Sequence, residues 1–142
     1  MRILAVDPGS KQVGLAISDP TGTIATALAT LPATPPDTLP ERIASAAAVQ
    51  SAERIIIGLP LRLDGSRGPE AAAAERLATG VRKASGLPVQ MVDERLTTAA
   101  AERSLIEGGM RREKRRASID RVAAVILLQG HLDSLGRSKR AG

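Results

Sequence analysis

The chain has no cysteine, phenylalanine, tyrosine or tryptophan, and a single histidine among its 142 residues. Without thiols there is no disulfide framework and no thiolate metal site, which fits a reducing compartment. Without aromatic rings the protein cannot stack nucleobases on its side chains. Its core has to be filled by Leu, Ile, Val and a large complement of Ala, a mix suited to helices resting on a sheet. No apolar run approaches the roughly 20 residues that span a bilayer, and the first residues lack the basic-then-apolar pattern of a signal peptide. The expectation is a cytoplasmic protein with no membrane partner.

What is abundant is positive charge. The formal net charge is +5, the pI is near 10.7, and the cations are 16 Arg against 4 Lys. Arginine forks match phosphate geometry in pairs of hydrogen bonds, so nucleic acid is the first partner to consider. The length suits one domain, read as residues 1–136, with 137–142 a short, frayed basic tail.

Residues 2–6 form a mostly apolar run, as in a strand covered on both faces. Asp7-Pro8-Gly9-Ser10 then reads as a turn, 12–18 as a second strand, and 23–31 as a third after the turn signal "SDPTGT". Three strands joined by tight turns make an antiparallel meander. The Pro-rich "LPATPPDTLP" is read as non-helical and leads to a helix over about 41–51. "RIIIGLP" is a buried strand, "LRLDGSRG" a polar loop, and Pro69 opens a helix to about Ser85. A strand follows over Val89 to Glu94. Thr97 or Thr98 can cap a helix that ends at Gly108 and Gly109, and a last helix runs from about Ser118 to Ser134. Helical crossovers make the later strands parallel to their neighbours. The expected fold is α/β: a five-stranded mixed sheet, an antiparallel three-strand meander plus two parallel strands, flanked by helices.

Asp7 ends the first strand, and Asp93 and Glu94 end the last. In an open α/β sheet the carboxyl ends of parallel strands face one crevice. Asp120 falls just inside a helix capped by Ser118, where free amides and the helix dipole keep a carboxylate ionised. Each acid alone has an ordinary structural reading, as turn former, ion-pair partner or dipole partner. Jointly, at the borders of apolar elements, they outline a crevice. Asp93 and Glu94 point to opposite faces of their strand, so only one of them enters it. His131, late in the last helix, is read as a structural residue.

The stretches "DPGSKQVGLAISD", "IIIGLPLRLDGSRGPEA", "VDERLTT" and "SIDRVAAVILLQ", in this order, resemble the YqgF family, also called RuvX. That family lies within the ribonuclease H-like superfamily, which includes the RuvC Holliday junction resolvases. The resemblance implies a ribonuclease H-like fold and a metal-holding set of Asp7, Glu94 and Asp120, favouring Glu94 over Asp93. It implies hydrolysis of phosphodiesters assisted by Mg2+ or Mn2+, with two metals, since carboxylates suit hard cations. The substrate is either branched DNA such as a Holliday junction or the 5′ end of the 16S rRNA precursor. A homodimer would suit the former.

Candidate phosphate contacts are Lys11 after the first strand, Arg62 and Arg67 in the polar loop, and Arg95 beside Glu94. The strongest basic feature is "RREKRR" (Arg111, Arg112, Lys114, Arg115 and Arg116), expected to be a loop gripping backbone phosphates beside Asp120. Two other function classes fit parts of the sequence. One is a non-catalytic RNA-binding or ribosome-assembly module, which holds if Mg2+ neither binds near the three carboxylates nor supports cleavage. The other is a phosphate-binding domain of actin-like ATPases, suggested by "VDPGSKQVG", which an ATP titration distinguishes.

Overall fold

The computed structural model of the chain describes residues 1–93 and 112–141, with the side chains of 112–121 and 137–141 left out of account. The helix expected between Thr97 and Gly109 lies outside the described residues, as do Glu94, Arg95 and Arg111.

Four strands fall where the sequence places them: β1 (Ile3–Asp7), β2 (Gln12–Ser18), β5 (Arg54–Leu59) and β6 (Val89–Asp93). The third expected strand is instead two short ones, β3 (Ala25–Ala27) and β4 (Leu31–Pro32). Both pair antiparallel with β2, but Ala16 faces Ala27 whereas Val13 faces Leu31. Residues 28–30 therefore oppose only 14 and 15, a one-residue bulge. Its cause is burial. Leu28 and Leu31 differ by an odd number and would lie on opposite faces of a regular strand, yet both pack into the same core. The sheet thus has six strands, ordered β3-β2-β1-β5-β6 with β4 also on β2. β1, β5 and β6 are parallel, and β1 and β2 antiparallel.

Alternation along the strands divides the interior into two cores. Leu4, Val6, Leu15, Ile55 and Ile57 face α1 (Leu39–Val49) and α2 (Pro69–Ser85), where Ile43, Ala47, Ala78 and Val81 complete the cluster. On the other face Ile3, Ala5, Ala16 and Ile56 meet Ala124, Leu127, Leu128 and Leu132 of α3 (Arg112–Ala141). Small residues set the close approaches. A Cβ at Gly80 of α2 would come within 2.9 Å of Pro40 Cγ of α1, so the two helices meet through a missing side chain.

α2 begins at Pro69 as expected and stops at Gly86, whose left-handed φ of 70° suits a glycine C-cap. α1 starts two residues earlier than expected, after a 3-10 turn at Pro36–Thr38. Prolines in a first turn have no amide the helix needs, so the Pro-rich stretch is partly helical after all. The largest departure is α3. It begins at Arg112 rather than near Ser118 and continues to Ala141. Arg, Lys and Glu are good helix formers, and a helix anchored further on by the buried Ala123, Ala124, Leu127, Leu128 and Leu132 extends at little cost. Hence Arg112, Lys114, Arg115 and Arg116 lie on a helix, not a loop, and Asp120 is not at a Ser118-capped terminus. The expected frayed tail after residue 136 is likewise helical through Ala141. Among the described residues no helix is long and apolar enough to cross a membrane.

Candidate active site

β1 carries four residues exposed by 2% or less, Ile3 to Val6, and then Asp7, whose exposure is 9%. A carboxylate ends up this deep because the strand is central: β2 flanks it on one side and β5 on the other. Asp7 pairs with Gly14 of β2. On the other side Val6 pairs with Ile57, which puts Gly58 beside Asp7. The row across the sheet is therefore Gly14, Asp7, Gly58, Val92. Neither glycine has a positive φ, so no backbone requirement explains them. Both cross-strand positions beside Asp7 thus carry no side chain, and glycine in a strand is a place that admits close approach.

That face is the one covered by α3. Asp7 shares the parity of Ile3 and Ala5, which pack against Ala124, Leu127 and Leu128. The axial position of α3 follows from Gln129. Its Oε1 accepts from Ala25 N–H at 3.0 Å and its Nε2 donates to Thr23 C=O at 2.9 Å, and Ala25 pairs with Ser18 at the end of β2. From 129 back to 120 the helix climbs about 13.5 Å. From Ser18 back to Gly14 the strand runs about 13 Å in the same direction. If helix and strand run side by side over this stretch, the backbone at position 120 would come near the level of Gly14 and Asp7.

The register also separates the two candidate acids of β6. Val89 and Met91 pack on the α1/α2 side and Val92 on the α3 side. Asp93 shares the parity of Met91 and so falls on the opposite face from Asp7. Glu94, of the parity of Val92, lies outside the described residues. Among residues whose side chains are described, no three of His, Cys, Asp or Glu gather to hold a metal. The donor that is described, the Asp7 carboxylate, is a hard oxygen ligand of the kind Mg2+ and Mn2+ take.

Lys11 is exposed in the β1–β2 turn. Arg62 and Arg67 belong to a short hairpin leaving β5 at the same sheet edge. Arg62 N–H donates to Ser66 C=O at 2.9 Å, Gly65 N–H to Arg62 C=O at 2.8 Å, and Leu61 bridges Arg67. Arg67 pairs with Glu75 of α2, both partners exposed, a weak surface ion pair that leaves the guanidinium exchangeable. The Arg62 guanidinium rests against Gly68, where a Cβ would lie 3.0 Å from its Nε. Sequence reasoning passed over the tip of this hairpin, Leu63, which is 93% exposed. It also passed over Gln129, whose only signal is a polar residue closing an apolar run.

Two other features lie apart from Asp7. A cavity of about 510 Å³ opens on the α1/α2 side, lined by Pro8, Ser10, Leu39, Pro60, Glu70 and Leu77 among others. It is largely apolar and does not suit phosphate. His131 stands at the far end of the sheet, where burial and the nearby Arg54 charge push its pKa down from the ordinary 6.5. Its Nε2 is buried with no hydrogen-bond partner among the described residues, in keeping with a structural role.

Comparison with known proteins places these features in context. A family model described as "RuvX: Holliday junction resolvase" matches residues 1–134. The "Putative pre-16S rRNA nuclease" of Pelotomaculum thermopropionicum is 43% identical over 141 residues, covering 99% of this chain and 92% of that protein. Among solved structures, T. thermophilus RuvC in complex with Holliday junction substrate superposes with a TM-score of 0.60 at 15% identity, covering 96% of both chains. The fowlpox virus Holliday junction resolvase gives 0.57 at 18% identity, covering 95% of this chain and 99% of that one. At such identities these two structures speak for the fold, which is the mixed α/β architecture of the RuvC-like resolvases.

Proposed function

Since the chain belongs to the RuvX family, we propose that it is a nuclease that hydrolyses phosphodiesters of structured nucleic acid, with Asp7, Glu94 and Asp120 holding divalent metal. The observation that carries this reading is Asp7, a buried carboxylate at the end of the central strand, on the sheet face covered by the helix that bears Asp120. Bound Mg2+ or Mn2+ would lower the pKa of an attacking water and neutralise charge at the leaving oxygen. The chain's own contribution is to hold carboxylates rigidly where cations and phosphate meet. A strand end flanked by Gly14 and Gly58 offers room for that, and position 120 faces it from a helix fixed by Gln129.

The basic run serves the same end from a helical position. Arg112 lies eight residues before Asp120, so α3 projects about 12 Å beyond the level of Asp7. Arg112 and Arg116 precede Asp120 at four-residue spacing and fall on its stripe, while Lys114 and Arg115 flank it. Together with Arg111, Arg95, Lys11, Arg62 and Arg67 they would contact backbone phosphates on either side of the scissile bond. Such contacts position the substrate without reading its sequence. The absence of every aromatic side chain points the same way.

Both substrates expected from the sequence remain within this reading. The name of the relative above favours precursor 16S rRNA, and the family description favours a four-way DNA junction. Paired incisions in a junction call for a homodimer, which rRNA trimming does not need. Composition suits a cytoplasmic setting for either. The test is cleavage of a four-way junction and of precursor rRNA in Mg2+, by the wild type and by Asp7→Asn. Cleavage of one substrate that vanishes in the variant is expected. Cleavage at the wild-type rate by Asp7→Asn would sink the metal mechanism, and phosphate-dependent binding without any cleavage would make the protein an RNA-binding module.

A further inference from the structure

The hairpin after β5 presents a large apolar side chain to solvent at the edge where β1 ends in Asp7. Leu63 is 93% exposed, above Val49 at 80%, Ile24 at 60% and Met1 at 55%. A single exposed leucine is unremarkable on a mobile loop. This one stands on a braced support. Gly65, with φ 88°, closes the turn back to Arg62, Ser66 N–H donates to the Asp64 carboxylate at 2.8 Å, and Arg62 N–H donates to Ser66 C=O. Beyond the turn, the Leu61–Arg67 bridge and the Arg67–Glu75 pair tie the hairpin to β5 and α2. Leu63 is at the second position of the four-residue turn Arg62–Gly65, closed by the Gly65 N–H to Arg62 C=O bond. The support holds the leucine out, although its neighbours Leu59 and Leu61 are half-buried.

On the reading that the protein is a nuclease for structured nucleic acid, we infer that Leu63 is an apolar wedge that inserts at an interrupted base stack and gives the enzyme its preference for branched over continuous duplex. The chemistry is that of proteins that drive Leu, Ile, Met or Phe between base steps. Entry into a continuous duplex requires unstacking; at a branch point or bulge that cost is already met in part. Arg62 and Arg67 flank the tip and are placed to hold the adjoining phosphates. With no aromatic ring in the chain, an exposed leucine at this edge is, among the described residues, a side chain suited to contact base faces.

The experiment uses full-length protein in Ca2+, so that binding is read without cleavage. The substrates are a four-way DNA junction, a bulged RNA hairpin and continuous duplexes of matching sequence, each with 2-aminopurine beside the discontinuity or at the matching duplex position. Wild-type protein is expected to raise 2-aminopurine fluorescence on the interrupted substrate. Leu63→Ser should abolish that rise and reduce the ratio of interrupted to duplex affinity by at least about tenfold, with the slope of log Kd against log salt unchanged. Leu63→Met should keep both effects. Because Leu63 is exposed, the thermal midpoint of Leu63→Ser should match the wild type. Preserved fluorescence and preserved selectivity in Leu63→Ser overturn the wedge, as does an equal loss of affinity for interrupted and continuous substrates. Wild-type protein that binds none of the substrates overturns the nuclease reading itself.

Discussion

Replacing Gln129 by Met tests whether α3 is held at the height that brings Asp120 to Asp7. Met matches Gln in length and helix propensity, so the change removes the two cross-links to the β2–β3 connection together with an exposed i,i+4 bond from Nε2 to Asp133 Oδ1 at 3.1 Å, which contributes little. The Thr23 carbonyl is exposed and recovers a water, at a cost of a few tenths of a kcal/mol. The Ala25 N–H is partly buried, and losing its acceptor costs about 1–2 kcal/mol. The second loss dominates, for a total of about 2 kcal/mol, equivalent to a thermal midpoint lower by roughly 6–8 °C in a chain of this size. The functional effect should exceed the stability effect. A helix free to slide by a fraction of a turn misplaces a ligand, and misplacements near 1 Å cost on the order of 100-fold in rate. Calorimetry together with single-turnover cleavage at 25 °C, where the variant is still folded, separates the two. A lowered midpoint with wild-type cleavage would show that Gln129 is only a structural clamp, and the argument for the position of Asp120 would have to be abandoned.

Other expectations are more direct. Asp7→Asn should reduce cleavage by at least about 100-fold and weaken Mn2+ binding measured by electron paramagnetic resonance, whereas Asp93→Asn, on the other face of the sheet, should leave both near wild type; equal effects would contradict the register argument. Arg116→Ala should lower the magnitude of the salt slope of nucleic-acid binding by about 1, while an unchanged slope would place Arg116 away from phosphate. Because burial and Arg54 lower the His131 pKa from 6.5, the unfolded chain binds the extra proton first as pH falls. The stability this group contributes is full above pH 6.5 and is lost as pH drops through its folded pKa. His131→Gln should therefore flatten the slope of stability between pH 7.5 and 5.5, and an identical slope in the variant would assign the dependence elsewhere.

Much of the fold was legible because its signals are local. The boundaries of α2 are written in Pro69 and Gly86, and β1, β2 and β5 are apolar runs stopped by turn residues. The breaks came where long-range packing outweighed local pattern. Leu28 and Leu31 both enter the α1/α2 core, which a continuous strand over 23–31 could not achieve, so the strand bulges and splits. The run "RREKRR" looks like a solvated loop by charge, yet its residues favour helix and the stripe of Ala124, Leu127, Leu128 and Leu132 anchors the helix they extend. Leu63 was invisible as a candidate because an apolar residue in a polar loop carries no periodic signal; only its exposure on a braced turn distinguishes it.

By itself, the sequence determined the chemical vocabulary: carboxylates at element ends, arginine for phosphate, no thiol and no aromatic ring, in the motif order of one family. Those properties belong to residue types and short spacings, so they survive without coordinates. Tertiary structure decided which sheet face each described acid occupies. The alternation of β6 sends Asp93 to the α1/α2 side, the pairing of β1 seats Asp7 between two glycines, and Gln129 sets the height of α3. Each of these depends on register between elements distant in the chain, and a one-residue slip would exchange the faces of a strand.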